Sequence, residues 1–241
     1  MRKDEDLEFL KFCKNDDLKI LTDYLVFDEN GKKRISEQLT SKKVFHENYP
    51  HNIAVLWEEI ANELQLYGGN TLLNVIRKQG VTYREILCDV CDRMKVNYNK
   101  DASIELIETC FLQKVMLDSL EQMSVEDMQE VIQQMEIKTQ TFTKQGLTAA
   151  LQIAIRTGGF APYKMAVIVA NAVAKALLGR GLSLALNASL TKTVSIFAGP
   201  IGWAVTVLWT LVDIAGPAYR VTIPAVAQII YMRHRSQMLL E

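Results

Sequence analysis

No aspartate or glutamate occurs between Ile137 and Val212, so the basic residues of that stretch have no local carboxylate to balance them. Other scarcities exclude whole classes of chemistry. The three histidines, His46, His51 and His234, are scattered, without the spacing of a metalloprotease helix. Four cysteines, Cys13, Cys88, Cys91 and Cys110, in 241 residues do not make a disulfide scaffold and read as reduced, mostly buried thiols. Cys88 and Cys91 form a C-x-x-C on one helical face, but no second pair follows and a zinc site needs four ligands, so they too read as structural. GRGLS at Gly179 lacks the third glycine and the preceding strand of a dinucleotide fingerprint. Phosphate loops and G-x-S-x-G elbows are absent. Catalytic, cofactor-binding and metal-binding residues are therefore not expected, and neither is an enzyme. The start, MRKDEDLEFL, carries charges where a signal peptide needs an apolar run, which points to the cytoplasm.

What is present divides unevenly. Residues 1–145 hold 26 acidic and 19 basic side chains, whereas 146–241 hold 2 and 8. An acidic half joined to a basic, apolar half implies two different solvents or two surfaces that attract each other. Apolar residues at helical spacing predict an all-α protein with three regions: a short N-terminal helical domain at 1–45, an amphipathic helical module at 46–140, and an apolar Gly/Ala-rich region at 141–241.

In the first region two short helices, a turn at Asp28 to Gly31 and a third helix toward Val44 are expected; the basic cluster Lys32, Lys33 and Arg34 reads as a solvated face, too short for nucleic acid. In the second, Ile53, Leu56, Trp57, Ile60, Leu64 and Tyr67 share one face, opposite Glu58, Glu59, Asn62 and Glu63, and Gly68 with Gly69 should stop the helix through positive φ. NTLLNVIRKQG reads as a further short helix. Thr82 with Glu85 forms a capping box, and Ser124 with Asp127 caps another helix.

Gly146 to Met232 contains eight of the twelve glycines and four of the five prolines. Helices are expected near Leu147 to Arg156, Tyr163 to Leu178, Leu182 to Thr191, Val194 to Ile214 and Ile223 to Ser236, the last begun by Pro224 after Thr222. A spanning helix needs about 20 apolar residues, and Thr193 to Val212 is uncharged for 20, although Gly199 and Pro200 interrupt it. Met165 to Ala174 is only ten residues long, between Lys164 and Lys175. Small residues recur at Ala166, Ala170 and Ala174, a spacing that suits close helix packing in lipid or in a soluble core.

The unbalanced Arg156, Lys164, Lys175, Arg180 and Lys192 would each gain about 1 kcal/mol beside anionic lipid head groups. Asp213 is expected either to pair with Arg220 or to serve as a polar anchor at the end of a span. The contact residues expected on this reading are Lys164, Lys175, Arg180, Lys192, Trp203, Trp209, Asp213, Tyr219 and Arg220. They imply association with, or conditional insertion into, the cytoplasmic membrane, peripheral or integral, through an anionic membrane surface. The alternative is a soluble chaperone-like or adaptor protein that holds a protein partner. An oligomer is compatible with both.

Three stretches, DLEFLKFC with LTDYL and GKKRISEQL, then IANELQLYGGNTLLNVIRKQGVTYREILCDVCDRMKV, and AGPAYRVTIPAVAQIIYMR, resemble the YaaW family of bacterial proteins. The specific positions are Gly68, Gly69, Gly80, Tyr83 and Asp89, and then Tyr219 to Pro224. The N-terminal piece is similar to a small domain of unknown function often found there. The resemblance covers nearly the whole chain, least well from Lys100 to Lys192. It implies a helical, chaperone-like fold, through a loose grouping with ubiquinol-cytochrome c chaperones, and brings no catalytic residues.

Overall fold

A computed structural model describes residues 2–28, 30–68, 80–134, 136–157, 162–178, 182 and 218–238. The fold is all-α. Its helices are α1 (Asn15–Val26), α2 (Lys43–Asn48), α3 (Trp57–Gly68), α4 (Tyr83–Arg93), α5 (Ile104–Leu120), α6 (Val125–Gln134), α7 (Lys144–Arg156), α8 (Pro162–Leu178) and α9 (Tyr219–Met238), with 3-10 helices at Glu5–Phe12, Leu39–Ser41 and Ile53–Leu56. Two compact units form: Met1–Glu108 with Leu211–Glu241, and Thr109–Thr210. The division falls inside α5, so the units part at neither 45 nor 140, and the C-terminal helix belongs with the N-terminal residues.

In the first unit α9 is the central element. Every residue from Val221 to Arg233 is buried, and the helix packs against α1, α3, α4 and the Glu5–Phe12 helix. A helix that is apolar on all sides has to be enclosed by others, and those around it turn one stripe inward: Leu7 and Leu10, Leu18, Leu21 and Leu25, Ile60 and Leu64, Leu87 and Val90 are fully buried. Local signals set the helix starts. The Thr82 hydroxyl accepts the Glu85 N–H at 3.3 Å while Glu85 Oε2 accepts the Thr82 N–H at 2.7 Å, the expected capping box. Ser124 and Asp127 exchange the same pair of bonds at the start of α6, at 3.3 and 3.0 Å.

Four expectations are corrected. The third helix toward Val44 is replaced by the 3-10 turn Leu39–Ser41 and the short α2. Gly68 remains helical and serves close approach: a Cβ there would stand 2.4 Å from Ile86 Cγ1 and 2.7 Å from Val81 Cγ2. Glu63, assigned to the solvated face of α3, is buried and accepts the Gln38 N–H at 2.9 Å. Pro224 lies inside α9, which starts at Tyr219. Apart from Leu182, the expected helices at 182–191 and 194–214, and NTLLNVIRKQ with Gly69, lie outside the described residues.

In the second unit α6 packs against α7, and Gln113 Nε2 donates to the Ile155 carbonyl at 3.3 Å, joining α5 to the end of α7. From Met165 to Ala174 α8 is buried at every position except the half-buried Asn171.

Candidate functional site

Two constellations stand out, one in each unit. In the first unit, α9 carries two arginines on its last turns into an environment that its own sequence cannot neutralise. The Arg233 guanidinium donates to Glu108 Oε1 at 3.0 Å and to the Asp6 carbonyl at 2.7 Å, and lies 4.4 Å over the Phe9 ring. Glu108, whose side chain is 0% exposed, also accepts the Tyr83 hydroxyl at 2.8 Å. Arg235 donates to both carboxylate oxygens of Asp17 at 2.9 Å, and Gln228 Nε2 donates to the Asp17 carbonyl at 3.0 Å. Asp4 closes the far side by accepting the Tyr83 N–H at 2.7 Å and Gln65 Nε2 at 3.2 Å.

Burial governs the titration of this cluster. It pushes Glu108 upward against the opposing pull of Arg233, pushes Asp17 upward against Arg235, and drives the Tyr83 phenol well above its ordinary value. The Cys13 thiol is pushed up to about 12 by burial, with Asp17 adding to the effect, which leaves it an unreactive thiol. A network this enclosed offers a substrate no approach. Its chemistry is that of a clamp: removing one member of a buried pair strands the other, at a cost of about 3–5 kcal/mol.

The second constellation is open. At the end of α6, Glu136 adopts a left-handed φ of 54° and the Ile137 N–H donates back to the Ile132 carbonyl at 3.0 Å, a Schellman-type closure made without glycine. Residues 137–143 then run to α7, where the Thr143 hydroxyl accepts the Gly146 N–H at 3.3 Å. Gly146 lets this segment lie close, since a Cβ there would come within 2.3 Å of Thr141 Cγ2. A groove of about 770 Å³ results. Ile132, Ile137, Phe142 and Leu147 form its apolar lining, the amides of Gln129, Gln133 and Gln140 ring it, and Lys138 is the one charged group among its described lining residues. Phe142 is 64% exposed, an unusual place for an aromatic side chain on a surface otherwise rich in amides and hydroxyls.

Of the expected contact residues, the described ones, Lys164, Lys175, Tyr219 and Arg220, are not among the residues of either constellation. Lys164 and Lys175 are both exposed, at the two ends of the buried run of α8. Tyr219 is half-buried with the Arg93 guanidinium 5.8 Å from its ring, and Arg220 is half-buried beside it. Arg180, Lys192, Trp203, Trp209 and Asp213 lie outside the described residues. Among the described residues no helix is long and apolar enough to cross a membrane, and no group of three or more His, Cys, Asp or Glu side chains is placed to hold a metal. The sequence reading missed both Arg233 with Glu108 and the groove. The available signals were two arginines directly after the apolar run that ends at Met232, and one phenylalanine within TQTFTKQ.

Comparison with known proteins agrees with the helical architecture. Residues 1–35 match a domain of unknown function, DUF3944, and residues 54–227 match the family described as ubiquinol-cytochrome C chaperone. A UPF0174 protein of Helicobacter pylori strain J99 is 49% identical over 97% of this chain and 92% of its own length. The chain is a UPF0174 member of the ubiquinol-cytochrome C chaperone family. A second UPF0174 protein of the same strain is 40% identical over 83% of this chain and 98% of its own length, and the UPF0174 protein YaaW of Escherichia coli K12 is 30% identical over 95% and 94%. The resemblance to YaaW read from the sequence thus holds, and the match to the ubiquinol-cytochrome C chaperone family agrees with the helical, chaperone-like fold that this resemblance implied. No solved structure matches it.

Proposed function

We propose that this chain is a non-enzymatic, chaperone-like protein that holds a protein partner in the groove between α6 and the segment leading into α7. The observation that carries this reading is an apolar groove of about 770 Å³ with an exposed aromatic at its edge, beside a loop already fixed by its own hydrogen bonds. A preformed apolar site ringed by amides suits polypeptide, because the amides can meet backbone groups while the floor takes apolar side chains. The chaperone family match over 54–227 includes the groove residues and supports the same reading. Free thiols at Cys13, Cys88, Cys91 and Cys110 favour a reducing, cytoplasmic setting. The test is suppression of aggregation: equimolar full-length protein should keep reduced insulin B chain in solution, and Phe142→Ser should remove much of that effect. Unchanged aggregation in the presence of the wild-type protein would reject the reading.

A second reading, contact with an anionic membrane surface, is supported by Lys164 and Lys175, which are exposed within a stretch of sequence free of acidic residues. It expects flotation with anionic liposomes at low salt and release as salt rises. Recovery only in the soluble fraction at low salt would exclude it.

A further inference from the structure

The groove and a side chain suited to fill it lie on one patch. Phe142 stands at the edge, 64% exposed, and beside it a groove of about 770 Å³ stays open over Ile132, Ile137 and Leu147. The charges nearby are balanced: Glu126 and Glu136 are exposed, and so are Lys138 and Lys144. Among the described residues none of these four forms an ion pair within the chain. Equal numbers of both signs give no preference for a cationic segment, an anionic one or an anionic lipid surface. They do suit a second copy of the same patch, because a two-fold axis can set each acid of one copy against a base of the other. The amides of Gln129, Gln133 and Gln140 are self-complementary in the same way, since each carries donors and an acceptor and can pair with another amide.

We propose that a second copy of this chain docks on the groove through a two-fold axis near Ile137, with Phe142 of each copy seated over the apolar lining of the other and Lys138 of each facing Glu136 of the other. Glu136 and Lys138 flank Ile137 on either side, so an axis at Ile137 exchanges them. The left-handed turn at Glu136, φ 54°, ends α6 there, and from Gln140 to Gln145 every residue is exposed, within reach of another copy. The nine lining residues fall short of the about 20–30 that each side of a standard interface contributes. The dimer is therefore weak, dissociating at about 10–100 μM. The proposal rests on the reading of the groove as a site for polypeptide and adds its regulation: the second copy covers the groove at high concentration, and a partner polypeptide displaces it.

The experiment is sedimentation velocity of the full-length protein across the concentrations that bracket that range, where monomer should give way to dimer. Phe142→Ser should weaken the dimer about tenfold, as loss of an aromatic anchor does. The charges give a second test that is independent of the aromatic. Glu136→Lys alone sets lysine against lysine across the axis and Lys138→Glu alone sets glutamate against glutamate, so each variant should be monomeric where the wild type dimerises. Mixed in equal amounts, the two variants restore opposite charges at both contacts and should form a heterodimer. All three positions are exposed, and unchanged circular dichroism will show that the variants fold. A protein that stays monomeric throughout overturns the proposal, as does a dimer that Phe142→Ser leaves intact or a mixture that fails to associate. Binding to anionic vesicles that Phe142→Ser abolishes, with no dimer formed, overturns it too. The insulin assay, run below the dimer range, reads the parent hypothesis separately. A Phe142-dependent dimer without aggregation suppression would keep self-docking and discard the chaperone role, and suppression by a protein that never dimerises would do the reverse.

Discussion

α8 and α9 come from the same apolar, acid-poor half of the chain, yet they manage their basic residues in opposite ways. α8 buries Met165 to Ala174 and leaves Lys164 and Lys175 in solvent at its two ends. α9 buries Val221 to Arg233 and keeps its arginines in the structure, paired with Glu108 and Asp17 from the acidic half. The difference teaches where the charge asymmetry of the sequence is used. The surplus of acids in residues 1–145 supplies counter-ions for the last helix, so two parts of the chain attract each other as their opposite charges suggested. For α8 no such supply is needed, because an exposed lysine is solvated by water.

The comparison breaks most directly at Arg233. Arg233→Ala strands Glu108 without its ion pair, and the full-length protein should lose about 3–5 kcal/mol in urea unfolding. If the loss is no larger than for a surface lysine, the pairing is incidental and the two helices are alike after all. A second substitution probes the other helix. Ala170, 1% exposed in the middle of α8, has no room for a larger side chain if the helix is a protein core. Ala170→Leu should then cost about 1–3 kcal/mol by the same measurement, whereas a helix surface meant for lipid would accept the leucine. Third, Lys175→Ala should change stability by no more than about 0.5 kcal/mol, since the side chain is exposed.

These sites also show what the sequence could and could not disclose. Both capping boxes were legible, because their two partners lie three residues apart and act through the backbone of one turn. The inward face of α3 was legible for the same local reason. Glu63 was misread because burial of its side chain depends on Gln38, 25 residues away, and nothing in the periodicity of α3 registers that neighbour. The clamp was invisible on the same grounds: Arg233 and Glu108 are 125 positions apart, and Arg235 and Asp17 are 218 apart. Apolar composition indicated that α8 and α9 had to be covered, but composition does not distinguish lipid from protein as the cover. Phe142 escaped notice because a single aromatic among threonines and glutamines has no periodic pattern to betray a groove.

The smallest and most discriminating effect is on pH dependence, to which the buried carboxylate partners of α9 contribute. Burial raises the pKa values of Asp17, Glu108 and Glu63 above their ordinary 3.8, 4.5 and 4.5. A carboxyl whose folded value is raised binds its proton more readily in the folded state than in the unfolded chain. Its contribution to stability is therefore complete below the ordinary value and is lost as pH rises through the raised one. Glu37 runs the other way: burial alone would raise it, but the hydroxyl and N–H of Thr40 together with Lys33 outweigh burial and hold it low, so its contribution disappears as pH falls through that depressed value. The raised group should prevail first on acidification from neutrality, so the urea midpoint should rise as pH moves down toward the ordinary carboxylate range, then fall at lower pH as Glu37 protonates. Glu108→Gln retains an acceptor for Arg233 but has no proton to gain, and the initial rise should flatten in that variant. A midpoint that drops steadily from pH 7, or a Glu108→Gln profile identical to wild type, would mean that Arg233 outweighs burial and that the α9 clamp is a favourable ion pair at neutral pH, with its charged form preferred in the folded protein.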